Sequence, residues 1–159
     1  MSKKSADSPG VKILAENRKA RFNFNILEAF EAGLVLTGSE IKSMRNGGAN
    51  IAEAYIRVIN AELHLIGAHI NPYIFTQDST VDPVRSRKLL MHKNEIIKLQ
   101  AKVAQKGLTI VPLELYLKAG WAKIKIALAS GKSNPDKRHS IKERDANRAI
   151  AKALKNRTR

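Results

Sequence analysis

Cysteine is missing from this sequence of 159 residues, and aromatic residues make up only 5% of it. The lack of cysteine excludes disulfides, thiolate catalysis and zinc sites built from cysteine. The first residues are polar and no long apolar run follows them, so we expect neither a signal peptide nor a membrane span. A cytoplasmic protein fits these absences.

Acidic side chains are scarce beside basic ones: 14 aspartates and glutamates stand against 29 lysines and arginines, and the net charge is +15. This excess repels itself in the free protein, so it predicts a polyanionic partner, first of all nucleic acid. An anionic membrane surface is the weaker alternative, because no stretch joins a long apolar face to basic flanks. With so few aromatic residues, recognition of folded RNA by shape and backbone is favoured over stacking on single-stranded bases.

The positive charge is concentrated at both ends of the chain. Residues 1–21 carry a net charge of +4 and residues 130–159 one of +7, whereas the 108 residues between them carry only +4. We therefore predict a flexible N-terminal arm over residues 1–11, one folded domain over residues 12–130 and a basic C-terminal tail over residues 131–159.

Alternating hydrophobicity predicts mainly strands in the folded domain. Phe22, Phe24 and Ile26 alternate with polar residues, and a second strand follows over 31–36. The other predicted strands are a hairpin of 55–59 and 63–66, then 108–117, where Pro112 indicates an edge or a bulge, and 121–129.

Two short helices complete the predicted domain. Ser39 is the predicted N-cap of a helix that runs through Arg45, and Ile96, Leu99 and Val103 have the spacing of a second helix that ends at Gly107. About six short strands with two helices favour a small barrel over a doubly wound sheet. The tail is rich in alanine, lysine and arginine with only a thin apolar stripe, so we expect it to be disordered when free and helical on RNA.

Catalytic and metal-binding signatures are weak. The run Gly131-Lys132-Ser133 resembles the end of a phosphate-binding loop, but the first glycine of that motif would fall at Ile126, so we interpret the run as a flexible basic linker. The four histidines lack metal-ligand spacing, and no nucleophile motif is present. We predict no enzyme activity, no cofactor and no metal.

Basic residues cluster at four places in the folded domain: Arg18 to Arg21, Lys42 with Arg45, Arg85 to Lys88, and Lys123 with Lys125. Any one cluster is equally well explained as a solvated face. Together with both basic ends, they favour phosphate binding.

Longer runs of residues carry a family resemblance, from about residue 12 to the end. They are Asn17 to Arg21, Glu31 to Leu34, Gly38 to Arg45, Asn50 to Tyr55, His69 to Tyr73, Asp82 to Leu90, Val111 to Leu113, Lys123 to Lys132, Asp136 to Arg138 and Ile141 to Asp145. In order and spacing they resemble the SsrA-binding protein (SmpB) family.

The resemblance implies a mainly β protein with short helices: an oligonucleotide-binding-type closed β-barrel of about six strands, with a basic tail. It implies binding to the tRNA-like part of transfer-messenger RNA (tmRNA) and delivery of that RNA to stalled ribosomes, where the tail enters the empty messenger channel as a helix. The implied partners are tmRNA, the ribosome with its RNA and, through alanyl-tmRNA, elongation factor Tu. We expect a monomer that binds no membrane.

The clusters and the resemblance together predict two sets of site residues. The RNA-binding side comprises Asn17, Arg18, Lys19, Arg21, Glu31, Lys42, Arg45, Arg87, Lys88, Leu90 and Lys123. The ribosome-binding tail comprises Lys132, Asp136, Lys137, Arg138, Ile141, Lys142 and Arg144.

The predicted roles differ between side chains. Lys123 neutralises phosphate, Asn17 bonds sugar or base edges, and Leu90 packs on exposed bases or holds its loop. Glu31 accepts from a base amino group or a 2′-hydroxyl, or orients neighbouring cations, or only supports the fold. Asp136 fixes the geometry of Lys137 and Arg138 on ribosomal RNA or caps the tail helix.

Three positions depart from the family pattern. Phe22 and Asn23 stand where the family commonly has a histidine and an acid, and Pro135 where it has tyrosine or histidine. Two rival functions stay open: a general ribosomal or RNA-chaperone protein, and an RNA-processing enzyme.

Overall fold

The computed structural model describes residues 10–75, 81–105 and 107–157. These residues contain nine strands: β1 (Val11–Glu16), β2 (Phe24–Leu34), β3 (Ala49–Asn50), β4 (Tyr55–Ile59), β5 (Glu62–Ile66), β6 (His69–Ile70), β7 (Arg87–Leu90), β8 (Leu108–Lys118) and β9 (Trp121–Gly131). They also contain four helices: α1 (Arg18–Asn23), α2 (Gly38–Arg45), α3 (Lys93–Val103) and α4 (Asn134–Arg157).

Six antiparallel strands form a ring. The hydrogen-bonded order is β8, β4, β5, β7, β2 and β9, and β9 pairs again with β8. Strand β1 pairs with residues 114–118 of β8, further along this strand than its pair with β4, and β3 pairs with β6. The predicted mainly β fold with about six principal strands is confirmed. The ring is not a true barrel, because its β4–β8 seam consists of the single pair Ile56–Ile110.

Alternation along β8 and β9 produces two hydrophobic clusters on opposite faces. The main core lies inside the ring and includes Ile110, Ile124 and Ile126, with Leu99 of α3 packed into it. A smaller cluster lies on the outside, where α1 covers the sheet; its buried members are Ala20, Val111, Leu113, Ala127 and Ala129. The outer face of the β8–β9 pair is therefore covered at the end where α1 sits.

Several local predictions hold. The hairpin of β4 and β5 turns at Asn60 and Ala61, which have φ of 50° and 59°. The bulge predicted at Pro112 lies between Pro112 and Glu114. Helix α3 ends at Val103, just before Gly107 with φ of 86°.

The two strands predicted between residues 22 and 36 need correction. Phe22 lies in α1, because Asn17 caps a helical turn there, and the two predicted strands are the single long strand β2. Helix α2 begins one residue before Ser39. Its N-cap is Thr37, whose hydroxyl accepts from the Glu40 backbone N–H while the Glu40 carboxylate accepts from the Thr37 N–H.

The tail is a helix here, which corrects the prediction that it is disordered in the free chain. Ser133 starts α4: its hydroxyl accepts from the Asp136 N–H at 3.4 Å, and the Asp136 carboxylate accepts from the Ser133 N–H at 3.2 Å. This reciprocal cap, with Pro135 in the first turn, favours helix initiation. The ladder of β9 runs to Gly131. Of the predicted flexible arm, Val11 belongs to β1, whereas residues 1–9 lie outside the described residues.

Candidate nucleic-acid interface

Neighbouring strands bring three predicted RNA-binding residues to one end of the ring. Gly33 of β2 pairs with Leu90 of β7 on one side and with Lys123 of β9 on the other, and Glu31 lies two residues before it. A Cβ on Gly33 would lie 3.2 Å from Leu90 Cβ, so glycine permits the close approach of β7. The strand register therefore explains why residues so distant in sequence share one surface.

A groove of about 840 Å³ opens at this end, and we call it the ring groove. Its lining combines exposed apolar side chains with cations. The lining residues used below are Val35, Arg45, Leu90, Trp121 and Lys123. Leu90 is 53% exposed, which fits a side chain available for contact with a partner.

Glu31 is the centre of a polar cluster beside the ring groove. The Tyr116 hydroxyl donates to its carboxylate at 2.5 Å, Lys118 Nζ donates at 3.3 Å, and Lys123 Nζ lies 3.9 Å away. The hydrogen bond from Tyr116 is the main cause that lowers the pKa of Glu31; burial opposes it, and Lys118 and Lys123 add to it. Burial, and then the bond to Glu31, raises the pKa of Tyr116. An ionised Glu31 thus lies within ion-pair distance of two cations, Lys118 and Lys123.

Asn17 lies apart from this cluster and is buried. Its Oδ1 accepts from the Ala20 N–H at 3.0 Å, and its Nδ2 donates to the Ile51 carbonyl at 3.1 Å. Both ends of the amide are engaged within the protein, so the predicted bonds to sugar or base edges are not available in this conformation. Asn17 instead caps α1, which carries Arg18 and Lys19 on the surface.

The three cations of α1 are exposed and each faces a carboxylate. Arg18 Nε lies 3.3 Å from Glu16, Arg21 Nη2 lies 2.8 Å from Glu114, and Lys19 pairs with Glu53. Exposed pairs of this kind contribute little to stability and are easily exchanged for phosphate.

The prediction that Arg87 binds RNA is wrong, because Arg87 is fully buried and cannot reach a phosphate. Its Nε donates to Glu40 Oε1 at 2.9 Å, and its other nitrogens donate to the carbonyls of Ala68, Arg85 and Pro83. Arg85 also binds Glu40, at 2.6 Å and 2.9 Å. We call Glu40, Arg85 and Arg87 the buried ion cluster. It joins α2 to the start of β7.

The remaining cations of the predicted RNA-binding side lie on the surface. Lys88 pairs with Glu62, and Lys42 Nζ lies 5.7 Å from the centre of the Tyr73 ring. Lys12 Nζ donates to the Arg45 carbonyl at 3.3 Å.

The tail begins at the opposite end of the β2–β9 ladder. Gly33 pairs with Lys123 at the groove end and Phe24 with Gly131 at the tail end. Nine residues separate Gly33 from Phe24, which at about 3.3 Å per residue amounts to about 30 Å. The ring groove and the root of the tail are thus two separate surfaces.

Several predicted tail residues contact α1. Lys132 Nζ donates to the Arg21 carbonyl at 3.2 Å, and the Arg144 guanidinium lies 5.6 Å from the centre of the Phe22 ring. Asp136 caps α4 as predicted, and its hydrogen bonds with Ser133 lower its pKa. Its neighbours Lys137 and Arg138 lie in the first turns of the helix, and Ile141 and Lys142 follow on exposed positions.

Basic residues recur along one side of α4, about 36 Å long by helical rise. The spacing of three, four and seven places five of them in one stripe: Lys137, Arg144, Arg148, Lys152 and Lys155. A stripe of this kind, on a helix exposed along most of its length, is suited to follow a line of phosphates.

Within the described ranges, no group of three or more histidines, aspartates or glutamates is placed to hold a metal ion. No helix in those ranges is long and apolar enough to cross a membrane.

The family model described as "SmpB protein" matches residues 14–156. The chain belongs to the SmpB family. Similar proteins named "SsrA-binding protein" occur in Trichodesmium erythraeum, with 50% identity over 98% of this chain and 99% of the relative, and in Persephonella marina, with 49% identity over 92% and 96%. A third, from Lacticaseibacillus casei, is 47% identical over 98% of each chain.

A solved structure described as "tmRNA-SmpB: a journey to the center of the bacterial ribosome" contains a chain of similar fold. The TM-score is 0.64 with 44% identity, over 79% of this chain and 86% of that chain. Membership in the SmpB family confirms the resemblance that the sequence motifs predicted.

Two of the three positions that depart from the predicted family pattern have a local explanation. Phe22 supplies the ring on which Arg144 of the tail lies, whereas at position 23 only the backbone carbonyl is used, which accepts the Lys132 backbone N–H at 2.9 Å, so the structure does not explain the Asn23 side chain. Pro135 occupies the first turn of α4, where a proline has no helical hydrogen bond to lose. All three positions therefore connect the ring to the tail.

Proposed function

We propose that this SmpB-family protein binds SsrA RNA, also called tmRNA, and brings it to stalled ribosomes. The observation that carries the proposal is the convergence of Glu31, Leu90 and Lys123 at one groove, in a chain similar to SsrA-binding proteins over nearly its full length. The ring groove holds the tRNA-like part of the RNA.

Each groove residue has a distinct role in this proposal. Lys123 and Lys118 neutralise phosphates, and Leu90 packs on exposed bases. Glu31 holds the two lysines in place through the contacts described above. Arg18, Lys19, Arg21, Lys42, Arg45 and Lys88 extend the cationic surface, whereas Asn17 and Arg87 act from within the fold.

The tail acts on the ribosome in this proposal. The tail, residues 131–159, enters the empty messenger channel with α4 as its helix, and the basic stripe of α4 lies along ribosomal RNA phosphates. Lys137 and Arg138 sit near the decoding centre, while Asp136 holds the first turn. Lys132, Ile141, Lys142 and Arg144 connect this turn to the remaining helix. Elongation factor Tu joins only through the shared alanyl-tmRNA.

The protein itself carries out no chemistry in this proposal, since peptide transfer belongs to the ribosome. It works in the cytoplasm, where ribosomes are, as a monomer. Incubation of the purified protein with RNA and magnesium should leave the RNA intact. Cleavage that disappears on substitution of His64 or His69 would support the rival, an RNA-processing enzyme.

The decisive experiment is competition binding at fixed salt between SsrA RNA and an ordinary tRNA. We expect a clear preference for SsrA RNA, and a fourfold rise in salt should weaken binding by roughly two to three decades if about five phosphates are neutralised. Equal affinity for both RNAs would favour the rival, a general RNA-chaperone protein.

A truncation after Lys132 separates the two surfaces. It keeps all of β9 and the Lys132 N–H bond to Asn23, and removes α4. We expect RNA binding to persist while peptide tagging on stalled ribosomes is lost. Loss of both activities would mean that the tail supplies the RNA affinity.

A further inference from the structure

Trp121 is the most exposed of the large apolar residues that line the ring groove, with 74% of the residue open to solvent. It starts β9 directly after the turn at Ala119 and Gly120, which have φ of 50° and 81°. The turn and the ladder fix its backbone, since Trp121 pairs with Lys118 across the hairpin. A large indole kept in water at a fixed position contributes little to the core and is suited to a partner.

The surroundings of Trp121 indicate what that partner is. Val35 and Leu90 provide apolar surface in the same groove and are 43% and 53% exposed. Arg45, Lys118 and Lys123 place cations around that surface. An apolar slot with a cationic border matches a nucleotide, which has a flat apolar base and an anionic phosphate.

We propose that the Trp121 indole stacks on an unpaired nucleobase of the RNA held in the ring groove, while the cations hold the adjoining phosphates. The inference rests on the proposed function, because it names the part of the RNA that the groove takes. It revises the expectation, drawn from the low aromatic content, that shape and backbone suffice for recognition. One well-placed indole is enough for one base.

The chain offers a direct probe, because Trp121 is its only tryptophan. Emission measured with excitation selective for tryptophan therefore reports on the groove alone. Titration of the full chain with SsrA RNA should quench this emission in step with binding measured by an independent method. Unchanged emission at saturation would overturn the inference.

Two substitutions test the chemistry. Trp121→Ala should weaken binding of SsrA RNA by about tenfold to a hundredfold, the range for loss of one base stack, whereas Trp121→Tyr should retain most of the affinity. The slope of log affinity against log salt should not change in either, because no phosphate contact is removed. Tyr55→Ala is the matched control, since Tyr55 is an exposed aromatic residue on β4 outside the groove lining.

The results separate this inference from the proposed function. Preference for SsrA RNA over tRNA with no effect of Trp121→Ala would refute stacking and leave the proposed function standing. Lack of that preference would refute the proposed function, whatever the indole does. An equal loss in Trp121→Tyr and Trp121→Ala would also contradict stacking. Thermal melting of each variant should match the parent chain, because the exposed indole supports no core contact.

Discussion

Substitution of Glu40 by glutamine should destabilise the whole ring, because it breaks the buried ion cluster. Glu40 is 4% exposed and Arg87 is 0% exposed, so the guanidinium of Arg87 would stay buried without its counter-charge. Removal of one partner from a buried ion pair typically costs about 3–5 kcal/mol. Arg87 would keep its hydrogen bonds to three carbonyls, those of Ala68, Arg85 and Pro83. We therefore expect a loss of about 3 kcal/mol in the free energy of unfolding, at the lower end of that range.

The assay is urea unfolding followed by circular dichroism. With a slope of about 2 kcal/mol per molar urea, a loss of about 3 kcal/mol lowers the midpoint by about 1.5 M. Glu62→Gln is the matched control, since it removes an exposed carboxylate that pairs with Lys88, and its midpoint should stay at that of the parent. A shift for Glu40→Gln no larger than for Glu62→Gln would refute the role given to the buried ion cluster.

The pH dependence provides a second test of the same cluster. Burial alone would raise the pKa of Glu40, but the bonds from Arg85, Thr37 and Arg87 outweigh it and hold the pKa below the ordinary value of 4.5. A carboxyl group with a lowered pKa in the folded state stabilises fully above its unfolded pKa, and this contribution is lost as the pH falls through the folded pKa. The difference in stability between parent and Glu40→Gln should therefore be constant at neutral pH and shrink below pH 4.5. A difference independent of pH would contradict this assignment.

Three further outcomes are expected. Ser133→Ala should lower the helical signal at 222 nm, because an N-cap contributes about 0.5–2 kcal/mol, whereas Asn147→Ala in the middle of α4 should raise it slightly; equal signals in both variants would contradict the cap. The difference in this signal between the parent and Asp136→Asn should shrink as the pH drops below 3.8, the ordinary pKa of the Asp136 side chain, since its lowered pKa means that the cap is lost only when that carboxylate is protonated; a difference that disappears already near pH 6 would point to another group. Lys123→Ala should reduce the salt slope of RNA binding by about one unit, while Lys98→Ala on α3 should leave it unchanged; equal slopes would remove Lys123 from the phosphate contacts.

Much of the fold could be predicted from local sequence signals. The hairpin of β4 and β5, the bulge at Pro112 and helix α3 were identified, because alternation, proline and helical spacing act over a few residues. The alternation of Phe22 with Phe24 wrongly predicted a strand at Phe22, because the side chain of Asn17, which lies outside that pattern, decides the structure there. Asn17 caps α1, and that cap competes with strand formation.

The candidate site was predicted only in part. Glu31, Leu90 and Lys123 were identified through family motifs, and the strand register explains why they lie together. The prediction that Arg87 lies on the surface is wrong. A charged residue is expected to be exposed unless it has a buried counter-ion, and the counter-ion of Arg87 is Glu40, 47 positions away in the sequence, where no local pattern reveals it. Trp121 was missed as a groove residue, since strand alternation does not tell an exposed end of a strand from a covered one.

The long pairing of β2 with β9 sets a fixed distance within the molecule. A ligand in the ring groove and a surface against the root of the tail are held about 30 Å apart by a ladder with a single irregularity, between Ile26 and Glu28. Once one contact forms, the other takes place at an effective concentration on the order of millimolar rather than at the concentration of the free partner. Two contacts of moderate strength then multiply into a strong one only when both partners are present. Charge attraction alone does not depend on nucleotide sequence. The rigid pair of strands would in this way make binding selective for the assembly that contains both partners.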